Sequence, residues 1–247
     1  MAVRTRPGFQ VSVERTLKNT TRKSVFLDLK PGTTNLRFLP PDNPEGNLFF
    51  ESAQHFRLKE EGEKRAFACL RMHGDEGQEC PACVLIERAI AEDAEKYAKL
   101  IDTFGGIGVA SKWHAQVVPL PTEGTAVDQL YIVGLSKTTA GKISNVLKME
   151  RDNRQPLITD PDNGQAVAIV HNGKSGKMIR YEVQATGLRI PLDEIYPQWV
   201  DEFLNIEKAI GMRVVPPQRL AKSLQETYPA AFSKLMSDFK FDDEAGE

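Results

Sequence analysis

The sequence predicts a mainly β protein with helices (α+β), a small barrel of short strands carrying one inserted module and a helical C-terminal region. Three observations lead there. Turns rich in Pro, Gly and Asp, such as PLPTEGTAVDQ and TDPDNGQ, cut the central chain into short apolar runs. One stretch, HFRLKEEGEKRAFACLRMHGDEGQECPAC at residues 55–83, is charged and holds all three cysteines. Beyond Tyr196 the apolar residues recur at helical rather than strand spacing.

In chain order, residues 1–30 form a basic arm, with seven Lys/Arg against Glu14 and Asp28 and an early Pro7-Gly8. Leu36-Arg37-Phe38-Leu39 alternates and stops at Pro40-Pro41, which predicts a short strand. Leu48 to Phe56 gives a second. Pro81 suits a first helical turn, and Ile86, Ile90, Tyr97 and Ile101 continue a helix as far as Gly105-Gly106. Strand-like runs follow at 113–118, 130–133, 166–170 and 178–184, the last two joined by an Asn172-Gly173 hairpin signal. A helical patch at 139–150 lies among them. Trp199, Phe203, Ile206 and Ile210 predict an amphipathic helix over 197–210. Residues 220–239 read as helix interrupted at Pro229. The last ten, DFKFDDEAGE, are an acidic tail with five acids against one lysine. The resulting organisation is an arm at 1–30, a core at 31–210 with its insert at about 52–104, a helical segment at 211–237 and a tail at 238–247.

The insert carries the strongest chemistry. Thirteen residues separate His55 from Cys69, ten separate Cys69 from Cys80, and two separate Cys80 from Cys83. The closely spaced pair in CPAC and two further soft ligands suit a closed tetrahedral Cys3His site for one structural zinc ion. The module is poor in large apolar residues, so metal binding is expected to supply folding free energy there. A disulfide would leave one thiol unpaired, and a redox CxxC belongs after a strand in a βαβ unit, not after GDEGQE. His73 competes with His55 for the fourth position. His55 is preferred because it ends the strand-like run FFESAQH, whereas His73 lies in a Gly-flanked loop.

Composition is that of a globular protein, 40% hydrophobic and 27% charged, with no apolar run near the roughly 20 residues a bilayer span needs. MAVRTRPGF has no signal-peptide core, so a reducing, cytoplasmic setting is expected. Neither GGIG at 105–108 nor GKSGK at 173–177 completes a nucleotide-binding motif. No nucleophile–base pair or two-metal carboxylate cluster stands out, so no catalysis is expected. What recurs is an aromatic beside a base: Lys112-Trp113-His114, Arg180-Tyr181, and Tyr97 between Lys96 and Lys99. Lys137, Lys142, Lys174 and Lys177 lie nearby in sequence, and Arg57, Lys59, Arg71 and Tyr131 extend the candidate set. Cations for phosphates and aromatic faces for unstacked bases are the requirements of a single-stranded nucleic-acid groove.

The order of features resembles the zinc-containing single-stranded-DNA-binding (helix-destabilising) proteins of T-even-type tailed phages. It consists of a basic arm, LRFLP, a histidine with three cysteines ending in CPxC, a helix, an S-x-W-x-A strand and an acidic tail. The similarity covers about residues 35–210 and is most specific in 55–83. It implies an OB-fold barrel with an inserted zinc subdomain, zinc on His55, Cys69, Cys80 and Cys83, and DNA in the cleft between the two, which includes Arg37 and Trp113. It also implies a role in DNA replication, recombination and repair in an infected bacterial host. The arm would then serve self-association along DNA, and the tail would serve replication partners. The chain departs from the pattern in having five Tyr in all, in Lys112 where an aromatic would precede the tryptophan, and in its short tail.

Overall fold

The computed structural model describes residues 24–41, 46–103, 105–121, 127–175 and 178–239. The expected arm up to residue 23, Lys177 and the tail from residue 240 lie outside them. Seven strands form one mostly antiparallel open sheet: β1 Gly32–Phe38, β2 Phe50–Glu60, β3 Glu63–Ala68, β4 Ala110–Pro119, β5 Tyr131–Leu135, β6 Gln165–Ser175 and β7 Met178–Arg189. Eight described helices accompany them: α1 Leu70–His73, α2 Pro81–Asp93, α3 Ala98–Ile101, α4 Lys137–Asp152, α5 Leu192–Ile195, α6 Ile206–Ile210, α7 Pro217–Thr227 and α8 Pro229–Leu235. The hydrogen-bonded order is β3-β2-β4-β1-β6-β7, with β5 added on β4. No pairing closes β3 onto β7 among the described residues.

Strand β4 is the hub. Its first half pairs with β2 (Glu51 opposite Trp113) and its last residues with β1 (Phe38 opposite Val117), while β5 pairs with it from Trp113 to Val117. The run Ala115–Val118 is correspondingly buried throughout, as a strand with neighbours on both edges requires.

Three apolar cores meet this sheet, and two of them frame the candidate sites. One gathers Leu36, Phe38, Val117, Val133, Ile143, Val167 and Ile169 between the sheet and α4. The other gathers Leu58, Phe67, Leu70, Leu85, Ile107, Leu220 and Leu224. The insert and the C-terminal helices therefore share one core. One expectation is corrected here: the insert is not without an apolar core but shares one with the C-terminal helices, which pack on β2 of the sheet and on α2. The sequence hid this because the insert supplies only half of the core, and the matching half lies more than 100 residues away.

Local departures have local causes. The helix begun at Pro81 stops at Asp93, whose carboxylate accepts the Lys96 amide, and only α3 resumes it. The predicted helix over 197–210 shrinks to α6. The side-chain amide of Gln116 accepts from the Leu204 amide and donates to the Leu204 carbonyl, taking this backbone out of helical register. The indole of Trp199 is likewise held by Asp193. The hairpin between β6 and β7 turns beyond Gly173, because pairing continues to Ser175 opposite Met178. The positive φ of Gly173 sits at a bulge instead of the turn. The β2–β3 hairpin, invisible in the charged run KEEGEK, turns on Glu61 and Gly62, both at positive φ.

His114 on β4 gives this region a pH sensitivity. Its Nε2 lies 2.9 Å from the Ser52 hydroxyl, its Nδ1 is buried without a partner, and Gly134 packs against the ring. Burial, with Lys112 adding like charge, pushes its pKa down to about 4. A depressed histidine pKa means that the unfolded chain binds the proton first. The stabilisation is complete above about pH 6.5 and is lost as pH falls towards 4. Melting curves at pH 7 and pH 5 should show a smaller drop for His114→Gln than for the wild type.

Candidate metal centre and nucleic-acid surface

The four ligands predicted from spacing meet in the second core. His55 enters on β2, Cys69 directly precedes α1, and Cys80 and Cys83 sit at the start of α2. Their ligand atoms lie within 4.8 Å of one another. Sγ of Cys69 is 3.5 Å from Sγ of Cys83, and Nε2 of His55 is 3.3 Å and 3.7 Å from the sulfurs of Cys80 and Cys83. A zinc tetrahedron with bonds of about 2.0–2.3 Å has edges of roughly 3.4–3.8 Å, so the donors stand at coordinating separation. One buried cluster of one imidazole and three thiols can thus hold a single metal ion, and the soft donor set suits zinc.

The surroundings orient the ligands. Nδ1 of His55 donates to the Ile107 carbonyl at 2.7 Å, which fixes the tautomer and leaves Nε2 free for the metal. Pro81 occupies the first helical turn, where its missing N–H is no loss, and the start of the α2 dipole favours thiolates at Cys80 and Cys83. In the metal-free protein burial opposes charge on His55. Cys69 and Cys80 outweigh it and raise its pKa to about 10. Hydrogen bonds with Cys69 and Cys83 pull the Cys80 thiol well down, while those of Cys83 with Cys69 and Cys80 push the Cys83 thiol up. The cluster attracts positive charge, a role that a divalent ion fills by displacing the protons.

His73, the competitor, faces away. Its Nε2 accepts the Ala53 amide at 3.0 Å, and its ring stacks on Phe50. His73 ends α1 instead of lying in a loop, and its ring is tied to β2.

The candidate nucleic-acid residues divide. Arg37 is a correction: it is fully buried, and its guanidinium donates to the carbonyls of Ile190, Ile158, Gln165 and Asp160. It cannot meet a phosphate. Burial lowers its pKa, with Asp160 and Glu150 opposing, and Gly164 leaves the space that Nη1 fills. Lys112 is exposed but, as the residue next to Trp113 in β4, projects to the opposite face of the strand. Arg71 is spent on Glu87.

Trp113 is partly buried. It packs on the first core and lines a groove of about 690 Å³ together with Leu48, Phe49, Phe50, Lys137 and Leu147. Lys137, at the start of α4, is thus the cation that tertiary structure puts beside it. Lys142 donates to the Tyr181 carbonyl, Tyr181 stacks on His171, and Arg180 is exposed beside them. Tyr131 is half-buried in the first core, Tyr97 packs on the second under Lys96, and Lys174 lies on β6. Arg57 and Lys59 are exposed on β2. Sequence reasoning missed Phe56, Lys64 and Arg65, which line a groove with Arg57.

No family model matches the chain, and no curated protein matches it. No described helix is long and apolar enough to cross a membrane.

Proposed function

We propose that the protein binds single-stranded DNA without catalysis, on an OB-type barrel formed by the sheet, with the metal module as a structural companion. The groove at Trp113 carries this reading: a partly buried indole that lines it together with Phe49, Phe50 and the opposite charges Lys137 and Glu51. Such a site offers stacking without base-edge readout, which suits sequence-tolerant binding. The phage resemblance supports coating of DNA during replication, recombination and repair. On that reading the basic arm mediates self-association and the acidic tail contacts replication proteins. An adaptor that binds another protein through the same groove is the alternative, which the following experiment separates.

Titration with oligothymidylate should quench the emission of Trp113, while Trp199, buried and bonded to Asp193, stays silent. Lys137→Ala should flatten the slope of log affinity against log salt by about 0.7, one phosphate contact on a single strand. Trp113→Phe should weaken binding with the slope unchanged, since stacking releases no counterion. Unquenched emission at saturating DNA would remove the groove from the binding surface.

A further inference from the structure

We infer that Cys69 and Cys83 are a peroxide-sensitive thiol pair, which closes into a disulfide with loss of the metal ion and so cuts the ligand link between β2 and the helices α1 and α2. The inference concerns the cysteine cluster alone and holds whatever the groove at Trp113 binds.

The three thiols are not equivalent. Sγ of Cys69 lies 3.5 Å from Sγ of Cys83. Closing that gap to the length of a disulfide asks for a shift of about 1.5 Å, shared between two side chains. Cys80 is fully buried, and its sulfur faces Nε2 of His55 at 3.3 Å. Cys69 is buried as well. Cys83 alone is half-buried, so an oxidant arriving from solvent meets this residue first. A metal ligand is held as the thiolate, which is the form that reacts with peroxide.

The Cys83 thiolate attacks one oxygen of hydrogen peroxide, the O–O bond breaks and hydroxide leaves, giving a sulfenic acid on Cys83. The Cys69 thiolate then displaces hydroxide from that sulfur and forms the S–S bond. Two electrons pass from the sulfurs to the peroxide. Protons from solvent turn both hydroxides into water and restore the Cys80 thiol. His55 and Cys80 remain, a pair too small to hold a closed tetrahedral ion.

One staple replaces another, with a different span. The metal site joins β2 through His55, the start of α1 through Cys69, and α2 through Cys80 and Cys83. The disulfide keeps α1 and α2 joined by closing a loop over residues 70–82. The His55 ring is left with its bond to the Ile107 carbonyl. Oxidation therefore loosens β2 while sparing the helices, whereas chelation loosens all three.

The test titrates the full-length, zinc-loaded chain with hydrogen peroxide. A chromogenic chelator reads released zinc, and alkylation in denaturant counts the remaining thiols. About one zinc should leave for each cross-link formed. Alkylatable thiols should fall from the three of the sequence to Cys80 alone. Fragmentation of the non-reduced peptides should place the link between Cys69 and Cys83. Dithiothreitol with added zinc should restore both the metal and the melting temperature. In amide exchange, the oxidised chain should keep more protection in α1 and α2 than the reduced, chelated chain, with β2 around His55 equally open in both. A link between Cys80 and Cys83, or to a second chain, would overturn the pairing. Zinc retained at excess peroxide with every thiol free would mark an inert structural site and overturn the switch. Cys83 carried to a sulfinic acid without a cross-link would overturn it too.

Discussion

Cys80→Ser protein is expected to emerge with almost no bound metal, where the wild type carries about one zinc per chain. It should melt roughly 8–16 °C lower, a shift that corresponds to about 4 kcal/mol for a protein of this size. The loss should be regional. Cys69, Cys80 and the strand carrying His55 belong to the core that also holds Leu220, Leu224 and Leu235. Chelation should therefore raise amide exchange in β3, α2, α7 and α8 together. The core around Leu36, Val117 and Ile169 has no part in the cluster and should keep its protection. His55→Ala should lose the metal and His73→Ala should keep it, because only His55 presents a free ring nitrogen to the sulfurs. Unchanged stability after complete chelation would contradict a structural role.

Arg37→Met should be nearly as damaging, although it touches no ligand. The guanidinium ties β1 to the 158–165 segment and to Ile190 by bonds to four carbonyls. Nearby, the buried carboxylate of Glu150 accepts from the Ile158 amide and from the Gln165 side chain. Removing the cation takes the guanidinium from those carbonyls, of which Asp160 keeps the Gly164 amide, and takes a positive charge from the surroundings of Glu150. A loss of about 3–5 kcal/mol is expected for a broken buried network of this kind. Chemical denaturation measures it directly. The same variant decides the role of Arg37 in binding. Under conditions where it stays folded, its salt slope on oligothymidylate should equal that of the wild type, whereas a phosphate contact would flatten it.

The three thiols of the metal centre were legible in the sequence, with His55 preferred over His73, because ligand chemistry restricts which residues can serve and their spacing is local. Three cysteines in 15 residues, with a proline between the last two, leave few other uses. The separation between His55 and Cys69 is one hairpin, which the strand ends at Ala68 and Glu63 explain after the fact. The strands near 36–39, 113–118 and 166–170 and the helix near 139–150 were also legible, since alternation and helical period are written in adjacent residues.

Which charges face water and which aromatics face a groove depends on contacts between distant segments. Arg37 reads as the polar side of a short strand, yet carbonyls from residues 158–190 surround it. Lys112 and Trp113 read as a pair, yet the strand period of two sends them apart. Lys137 joins Trp113 because β5 leads α4 back across β4. The common core of the insert and the C-terminal helices was equally hidden. Each half is too small to register alone, and apolar burial depends on which surfaces meet, a property that no local pattern encodes.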